Sequence, residues 1–386
     1  MKTYKVRIKV LSPLHIGSGE VYAPTEFFVN EREKWLGVLD FPRWCEAASR
    51  WNPKALKAFM KLCAAKDAVS FVNLLDFMDQ VSLTLLKNGK DGFIKRRIEV
   101  SRGFLEVYRG FKAKKKDPAR LAREFNRFEI FRTAYSSNEN LPILPGSSVK
   151  GALRTAVLNL RRSKARSQNI KDYCPDCRRP KHCNSRKLEA EILEYFREDP
   201  RNFKTDPFRL IKLSDFRPVK GSGVKMKIVF AVNRRKDGSR SRGPYQILEV
   251  VEAGAVFEGT MTVLDPPETS RRDLSVKNPV TFEEILQALR NFYGREMERK
   301  RRELAAMGVN FEVLGDKEGV PLILGRYSGA ECVTIEGFRS ILVRGRGGRK
   351  RCLPHATTLW LASEDPRGDE TSSLKPFGWT RLEMIA

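Results

Sequence analysis

Three groups of residues in this 386-residue chain have types and spacings that could do chemistry. The first lies in "LPILPGSSVKGALRTAVLNL", residues 141–160. Val149, Ala152, Leu153, Ala156, Val157 and Leu160 recur at the spacing of one buried helical face, and Lys150 and Arg154 fall on the other. Pro145-Gly146 sets the approach, and Ser147 or Ser148 can cap the first turn. A helix that starts with free N–H donors, two hydroxyls and a lysine is a seat for phosphate, although the same features serve an ordinary capped helix.

The second group is "CPDCRRPKHC". Cys174, Cys177, His182 and Cys183 offer four zinc ligands within ten residues, and Cys-x-x-Cys has metal-knuckle spacing. Adjacent His182 and Cys183 cannot both bind without a strained path, so a distant ligand can replace one of them. Reduced surface cysteines are the alternative. A structural zinc would organise a loop too poor in apolar residues to form a core, presenting Arg178, Arg179, Lys181, Arg186 and Lys187.

The third group is His15 in "HIGSGE", one of only three histidines. It either shapes a glycine turn or serves as general base toward an RNA 2′-hydroxyl. Asp206 and Asp215 could share Mg²⁺ only with a third carboxylate. The chain contains no Gly-x-Ser-x-Gly, His-Glu-x-x-His or GxxxxGK[ST] pattern, so conventional hydrolytic machinery is hard to assemble.

What remains is an electrostatic surface. The 73 Lys and Arg against 47 Asp and Glu leave a net charge of +26, a field that attracts polyanions, nucleic acid first among them. Besides Lys150, the cations expected to meet phosphate are Arg234, Arg235, Arg240 and Arg242 in "NRRKDGSRSRGP", which reads as a flexible basic finger or a solvated loop. Arg326 and Tyr327 in "GRYSG" pair a guanidinium with a ring, suited to phosphate contact and base stacking or to packing at the turn. Arg344, Arg346, Arg349, Lys350 and Arg351 form a further basic patch.

The elements that must position these groups follow from periodicity. In "KVRIKVL", Val6, Ile8 and Val10 alternate with Lys5, Arg7 and Lys9, the mark of a half-buried strand. A glycine turn and two strands follow, then helices over 41–49 and 53–64, while 71–86 mixes periods. Residues 87–116 read as strand-like segments in a projecting basic insertion, and 161–187 as a second basic insertion. Val224, Met226, Ile228, Phe230 and Val232 alternate in another strand, with two more in "YQILEVVEAGAVFEGTMTVL". Thr281 and Glu284 make a capping box for a helix burying Phe282, Ile285, Leu286 and Leu289. The pattern predicts an α+β protein of two domains, 1–220 and 221–386, with open sheets. With no 18-residue apolar stretch and an odd count of seven cysteines, the expectation is a cytoplasmic protein in a reducing compartment, with no membrane contact.

Five segments carry a family resemblance: "SPLHIGSGE" (12–20), "LPILPGSSVKGALRTA" (141–156), "DPFRLIKLSD" (206–215), "LILGRYSG" (322–329) and "KPFGWTRLE" (375–383). The chain resembles the RAMP proteins of CRISPR effectors, and most resembles the fifth Csm subunit of type III-A complexes, which caps the crRNA 3′ end. The resemblance implies two modified ferredoxin-like (RRM-like) domains related to the Cas7 backbone subunits. It further implies contact with the 3′ part of the crRNA, target RNA, the adjacent backbone subunit and the small subunit, and possible recruitment of guide-trimming nucleases. By that likeness Gly17, Ser18 and Gly19 meet RNA or a neighbouring subunit, Ser147, Ser148, Lys150 and Arg154 lie near the RNA backbone, and Gly325, Arg326 and Gly329 form the C-terminal glycine loop. Catalytic relatives cut RNA with an aspartate after the first strand. Here that loop, "EVYAPTEFF", has none, which implies a binding subunit without a catalytic metal. The Cas6 class of guide-processing endoribonucleases, with His15 as base, and another type III RAMP backbone subunit are the alternatives.

Overall fold

The computed structural model describes residues 1–65, 67–124, 128–137, 139–195, 203–239, 243–268, 275–311, 318–344 and 349–385. The strand Lys2–Val10 is the centre of a first, antiparallel sheet. It pairs on one side with Val256–Val263 and on the other with Trp379–Ile385; Val320–Ile323 and Ile211–Leu213 lie outside them. The alternation in "KVRIKVL" is realised because one face is covered. Val6, Ile8 and Val10 join a core with Val149, Leu153 and Val157 of the helix Gly146–Leu160 and with Ile285, Leu289 and Phe292 of the helix Phe282–Ala306. On the open face Arg7 donates to Glu258, its cross-strand partner, at 2.6 Å.

The second sheet runs Gly17–Val21, Ile130–Thr133, Gln246–Val251, Met226–Arg235, Ile94–Val100, Trp35–Leu39 and Phe27–Asn30, with Thr358–Ser363 along the far half of Met226–Arg235. Two of its contacts are parallel, Gln246–Val251 with Ile130–Thr133 and Ile94–Val100 with Met226–Arg235. The helices Ala68–Lys87 and Arg102–Ala113 cover it through Val72, Leu75, Phe104, Tyr108 and Phe111. Asp79 pins the first of these helices to the sheet, accepting from the Val29 amide at 2.8 Å, the Tyr108 hydroxyl at 2.9 Å and Lys112 Nζ at 2.7 Å. Burial pushes this carboxyl up, and Lys112 beside it pulls the other way.

This is an α+β fold of two largely antiparallel sheets, consistent with duplicated ferredoxin-like units. Each sheet takes strands from both sides of the 220/221 boundary expected from the sequence. Residues 87–116 are not a projecting insertion. Ile94–Val100 lies inside the second sheet, and "GFLEVYRGF" is helical because Phe104, Leu105, Tyr108 and Phe111 share a three-to-four spacing that beats the local alternation. Residues 71–86 belong to the helix Ala68–Lys87, which by length and composition could cross a membrane. Here Leu75, Met78, Val81 and Leu85 are buried against the protein.

Candidate nucleic-acid interface

Three motifs far apart in sequence interlock where the two sheets meet. The Gly378 amide donates to the Pro13 carbonyl and the Leu324 amide to the Gly378 carbonyl, both at 2.9 Å; the Arg326 amide donates to the His15 carbonyl, also at 2.9 Å. Ser12 Oγ accepts from the Trp379 amide at 2.9 Å. Two positions there exclude a side chain. Gly378 has φ +77° and a Cβ would sit 1.9 Å from the Leu324 carbonyl oxygen, while at Gly325, φ +81°, it would sit 2.4 Å from the His15 carbonyl oxygen. "SPLH", "LGR" and "FGW" therefore form one knot of backbone.

The knot aims an edge strand outward. The expected glycine turn at 17–19 is instead an exposed strand, Gly17–Val21, paired on one side only, with Ile130–Thr133. It leaves a row of backbone N–H and C=O groups open to a ligand. Gly17 and Ser18 are exposed, and Gly19, φ +87°, has open space where a side chain would stand. Arg326 is exposed beside this strand. Its guanidinium lies 5.8 Å from the centroid of Phe131, which pairs with Val21, and 5.3 Å from that of Tyr327. Among the described residues Arg326 makes no ion pair. Tyr327 is half-buried, packs against Trp360 and Phe377 and donates to Gln246 Oε1. Gly329, φ +98°, closes the loop against Lys300.

His15 lies under the edge strand and is 1% exposed. Its Nδ1 bonds to the Glu249 carbonyl at 2.8 Å and its Nε2 has no partner. A Cβ on Gly17 would touch that Nε2 at 3.0 Å, so the glycine lets the strand cross the ring. Burial lowers the His15 pKa, the Glu249 bond opposes this, and the Arg326 charge adds to the lowering. Glu249 itself is fully buried and escaped the sequence reading. It accepts from Tyr22 at 3.1 Å, from the Thr133 amide at 3.1 Å and from Tyr135, with Arg96 stacked 3.7 Å over the Tyr135 ring. Burial pushes its carboxyl up. The available signal was an acid inside the apolar run "ILEVV".

Two backbone bonds carry the surface on to the helix Gly146–Leu160: Ala134 N–H to the Ile16 carbonyl at 2.9 Å and Ile143 N–H to the Ala134 carbonyl at 3.0 Å. Neither Ser147 nor Ser148 caps this helix. The Gly146 amide donates to Asp215 Oδ1 at 2.9 Å instead, and a Cβ at Gly146 would strike the Ser214 carbonyl at 2.6 Å, so the helix start is docked on the 213–215 loop. Ser147 remains exposed and Ser148 half-buried. Lys150 is half-buried and makes no ion pair among the described residues. Its pKa is lowered by burial first, then by Lys212, with Asp206 opposing and Arg154 adding. Arg154 is not free for a ligand. It donates to Glu189 at 2.9 Å and to both oxygens of Asp206, at 3.1 and 2.8 Å. Asp206 and Asp215 thus face different partners and share no site.

The other expected cations divide. Arg234 is buried and donates to the carbonyls of Arg367 and Gly368, so it holds a loop; Arg235 is exposed without an ion pair among the described residues. Arg240, Arg242 and Arg346 lie outside the described residues. The expected zinc set is not assembled as such. Cys174 is bonded to Cys183 and Cys177 to Cys352, while His182 stands exposed on a single 3₁₀ turn. With these sulfurs joined in pairs, no group of three or more His, Cys, Asp or Glu among the described residues is arranged to hold a metal.

A sequence model of the RAMP superfamily matches residues 7–312, a span that contains the edge strand, the helix start and most of both sheets. The chain belongs to the RAMP superfamily. No curated protein matches this RAMP chain. Among solved structures it resembles a chain of a Csm–crRNA–target RNA ternary complex of a type III-A CRISPR-Cas system. That match has 20% identity and a TM-score of 0.58, and covers 99% of this chain and 100% of the other. It also resembles Csm5 of T. onnurineus, with 16% identity and a TM-score of 0.57, covering 97% of this chain and 99% of that one. At these identities the likeness establishes the fold shared by RAMP chains.

Proposed function

We propose that this RAMP chain is an RNA-binding subunit of a type III-A CRISPR ribonucleoprotein, seated on the 3′ part of the crRNA as a cap that does not itself cut. The carrying observation is the open edge strand Gly17–Val21 beside an exposed Arg326 that makes no ion pair among the described residues, in a chain of net charge +26. Backbone donors and a free guanidinium grip ribose-phosphate without reading bases, which suits a subunit whose selectivity comes from guide pairing. Lys150 and Lys212, close enough to repel each other, extend the grip to the helix start.

The full-length matches to a chain of a Csm–crRNA–target RNA complex and to Csm5 support a place beside crRNA and target RNA. A backbone subunit, the small subunit and guide-trimming nucleases are the further partners of this proposal. A non-cutting role is supported by the absence of an aspartate from the segment "EVYAPTEFF" that follows the first strand, whose acids Glu20 and Glu26 both sit 3.3 Å from Arg132. The test is photo-crosslinking of guide RNA in the reconstituted complex. Crosslinks from the 3′ part of the guide to residues 17–19, 150 and 326, together with altered guide ends when the subunit is omitted, are expected. Absence of any RNA contact in the free and assembled protein would overturn the reading.

One observation favours the guide-processing alternative: the partnerless His15 Nε2, a free lone pair. A ring only 1% exposed gives a 2′-hydroxyl no route to that nitrogen, and the capping reading expects repeat RNA to stay intact with both wild type and His15→Ala.

A further inference from the structure

The four cysteines of the basic lobe come together around one residue. Cys183 Sγ lies 3.7 Å from the Asp176 carbonyl oxygen and Cys352 Sγ 4.0 Å from Asp176 Oδ1. Each is bonded to a member of the Cys-x-x-Cys pair on either side of Asp176, Cys183 to Cys174 and Cys352 to Cys177. Four sulfurs, two of them from metal-knuckle spacing, are the ligand count of a closed tetrahedral zinc site. We propose that Cys174, Cys177, Cys183 and Cys352, when reduced, bind one structural zinc ion. The distant fourth ligand is then Cys352, and His182 takes no part. This proposal is independent of the RNA-binding reading.

Three observations carry it. Among the described residues the ribbon Ile341–Arg344 with Lys350–Leu353 pairs only with itself, and its second strand is almost wholly exposed. A lone two-stranded ribbon is marginal in water, so its position depends on an anchor, and Cys352 ties it to a loop 175 residues away in sequence. Second, the chain keeps an exposed free thiol, Cys63, with Cys45 near enough to feel its charge and also free. Burial raises the pKa of both of these thiols, so they persist as thiols, and a chain that keeps free thiols suits a setting in which disulfides are opened by reduction. A metal that takes all four sulfurs gives the lobe a cross-link that survives reduction. Third, exposed Arg178, Arg179, Lys181, Lys187, Lys350 and Arg351 flank the cysteines in sequence, and such charge favours thiolates and offsets the double negative charge of a four-thiolate zinc centre.

Within each bonded pair the change is small. Zinc at about 2.3 Å from each sulfur holds two sulfurs about 3.8 Å apart, a separation that side-chain rotation provides from Cα atoms 4.0 and 5.9 Å apart, and Asp176 lies beside a sulfur of each pair. The balance is simple. Two disulfides take four electrons from two equivalents of reductant, giving four thiols. A dithiol also supplies the four protons and closes to its own disulfide, whereas a phosphine becomes the phosphine oxide with oxygen from water, and two water molecules supply the four protons. Zn²⁺ then binds four thiolates and releases four protons.

The experiment uses the full chain purified anaerobically with a phosphine reductant, loaded with Zn²⁺ and dialysed against metal-free buffer. One zinc per chain by elemental analysis is expected, with an all-sulfur shell near about 2.3 Å by X-ray absorption. Cys352→Ser should lose most of this zinc and His182→Ala none of it. A mercury reagent that blocks thiols should release the zinc from wild-type protein, a readout that needs no variant to fold. Three outcomes would overturn the proposal: a reduced chain that retains no zinc, a nitrogen in the shell, or dependence on His182 instead of Cys352.

Discussion

At the scale of residues, His15 was ambiguous between a general base and a turn-shaping ring, and burial separates the two roles. A ring under an edge strand, bonded through Nδ1 to the Glu249 carbonyl, is built to stay neutral. Its pKa lies below the ordinary 6.5, chiefly from desolvation, so between the folded value and 6.5 the unfolded chain binds a proton that the folded chain refuses. His15 therefore contributes its full stability above 6.5, and that contribution declines as the pH falls through the folded value. Urea midpoints measured from neutral pH down to about pH 5, above the range where ordinary carboxylates titrate, should fall for wild type and fall less steeply for His15→Asn. Equal slopes would show that the ring is not the titrating group. Glu249 was not legible beforehand, because an acid on a strand ordinarily faces water. Only the arrival of Tyr22, Tyr135 and the Thr133 amide from other strands makes its inward position tenable.

At the scale of elements, the helix Gly146–Leu160 has the faces its periodicity requires, yet its two outer cations do different work. Lys150 makes no ion pair among the described residues, whereas Arg154 pairs with Asp206, which is nearly buried. Arg154→Ala should cost about 3 kcal/mol, since it leaves that carboxylate unpaired. Lys150→Ala should move stability by no more than about 0.5 kcal/mol. RNA titrations at several salt concentrations should show the reverse emphasis for Lys150→Ala, with the slope of log K against log salt shrinking by about 0.7, one phosphate contact. If Lys150→Ala leaves both affinity and slope unchanged, the helix start is not part of the interface. The cap of this helix lay beyond sequence reading because its acceptor, Asp215, arrives from another segment.

At the scale of the whole molecule, the first strand pairs with Val256–Val263 and Trp379–Ile385, so the sheet that opens the chain closes only when its last residues arrive. A fragment of residues 1–220 would carry Lys2–Val10 with both edges bare and its apolar face stripped of the helix Phe282–Ala306. Expressed alone it should aggregate or show no cooperative urea transition, whereas the intact chain unfolds cooperatively. A soluble, cooperatively folding 1–220 fragment would contradict this dependence.

The amino-acid sequence by itself determined the strand periods, the cap at Thr281, the charge that makes a polyanion the natural partner, and the glycine-bearing motifs through which the superfamily is recognised. These are local or additive properties, set by neighbours a few residues apart or by simple sums over the chain. Tertiary structure alone decided which cations stay free. Arg154 and Arg234 are taken up by buried carboxylates and carbonyls, while Lys150 and Arg326 make no ion pair among the described residues. It also decided that "SPLH", "LGR" and "FGW" make one knot and that Cys352 joins Cys177 across 175 residues. Pairings of that kind depend on long-range sheet register, and register is fixed by the simultaneous burial of faces that no short window of sequence contains.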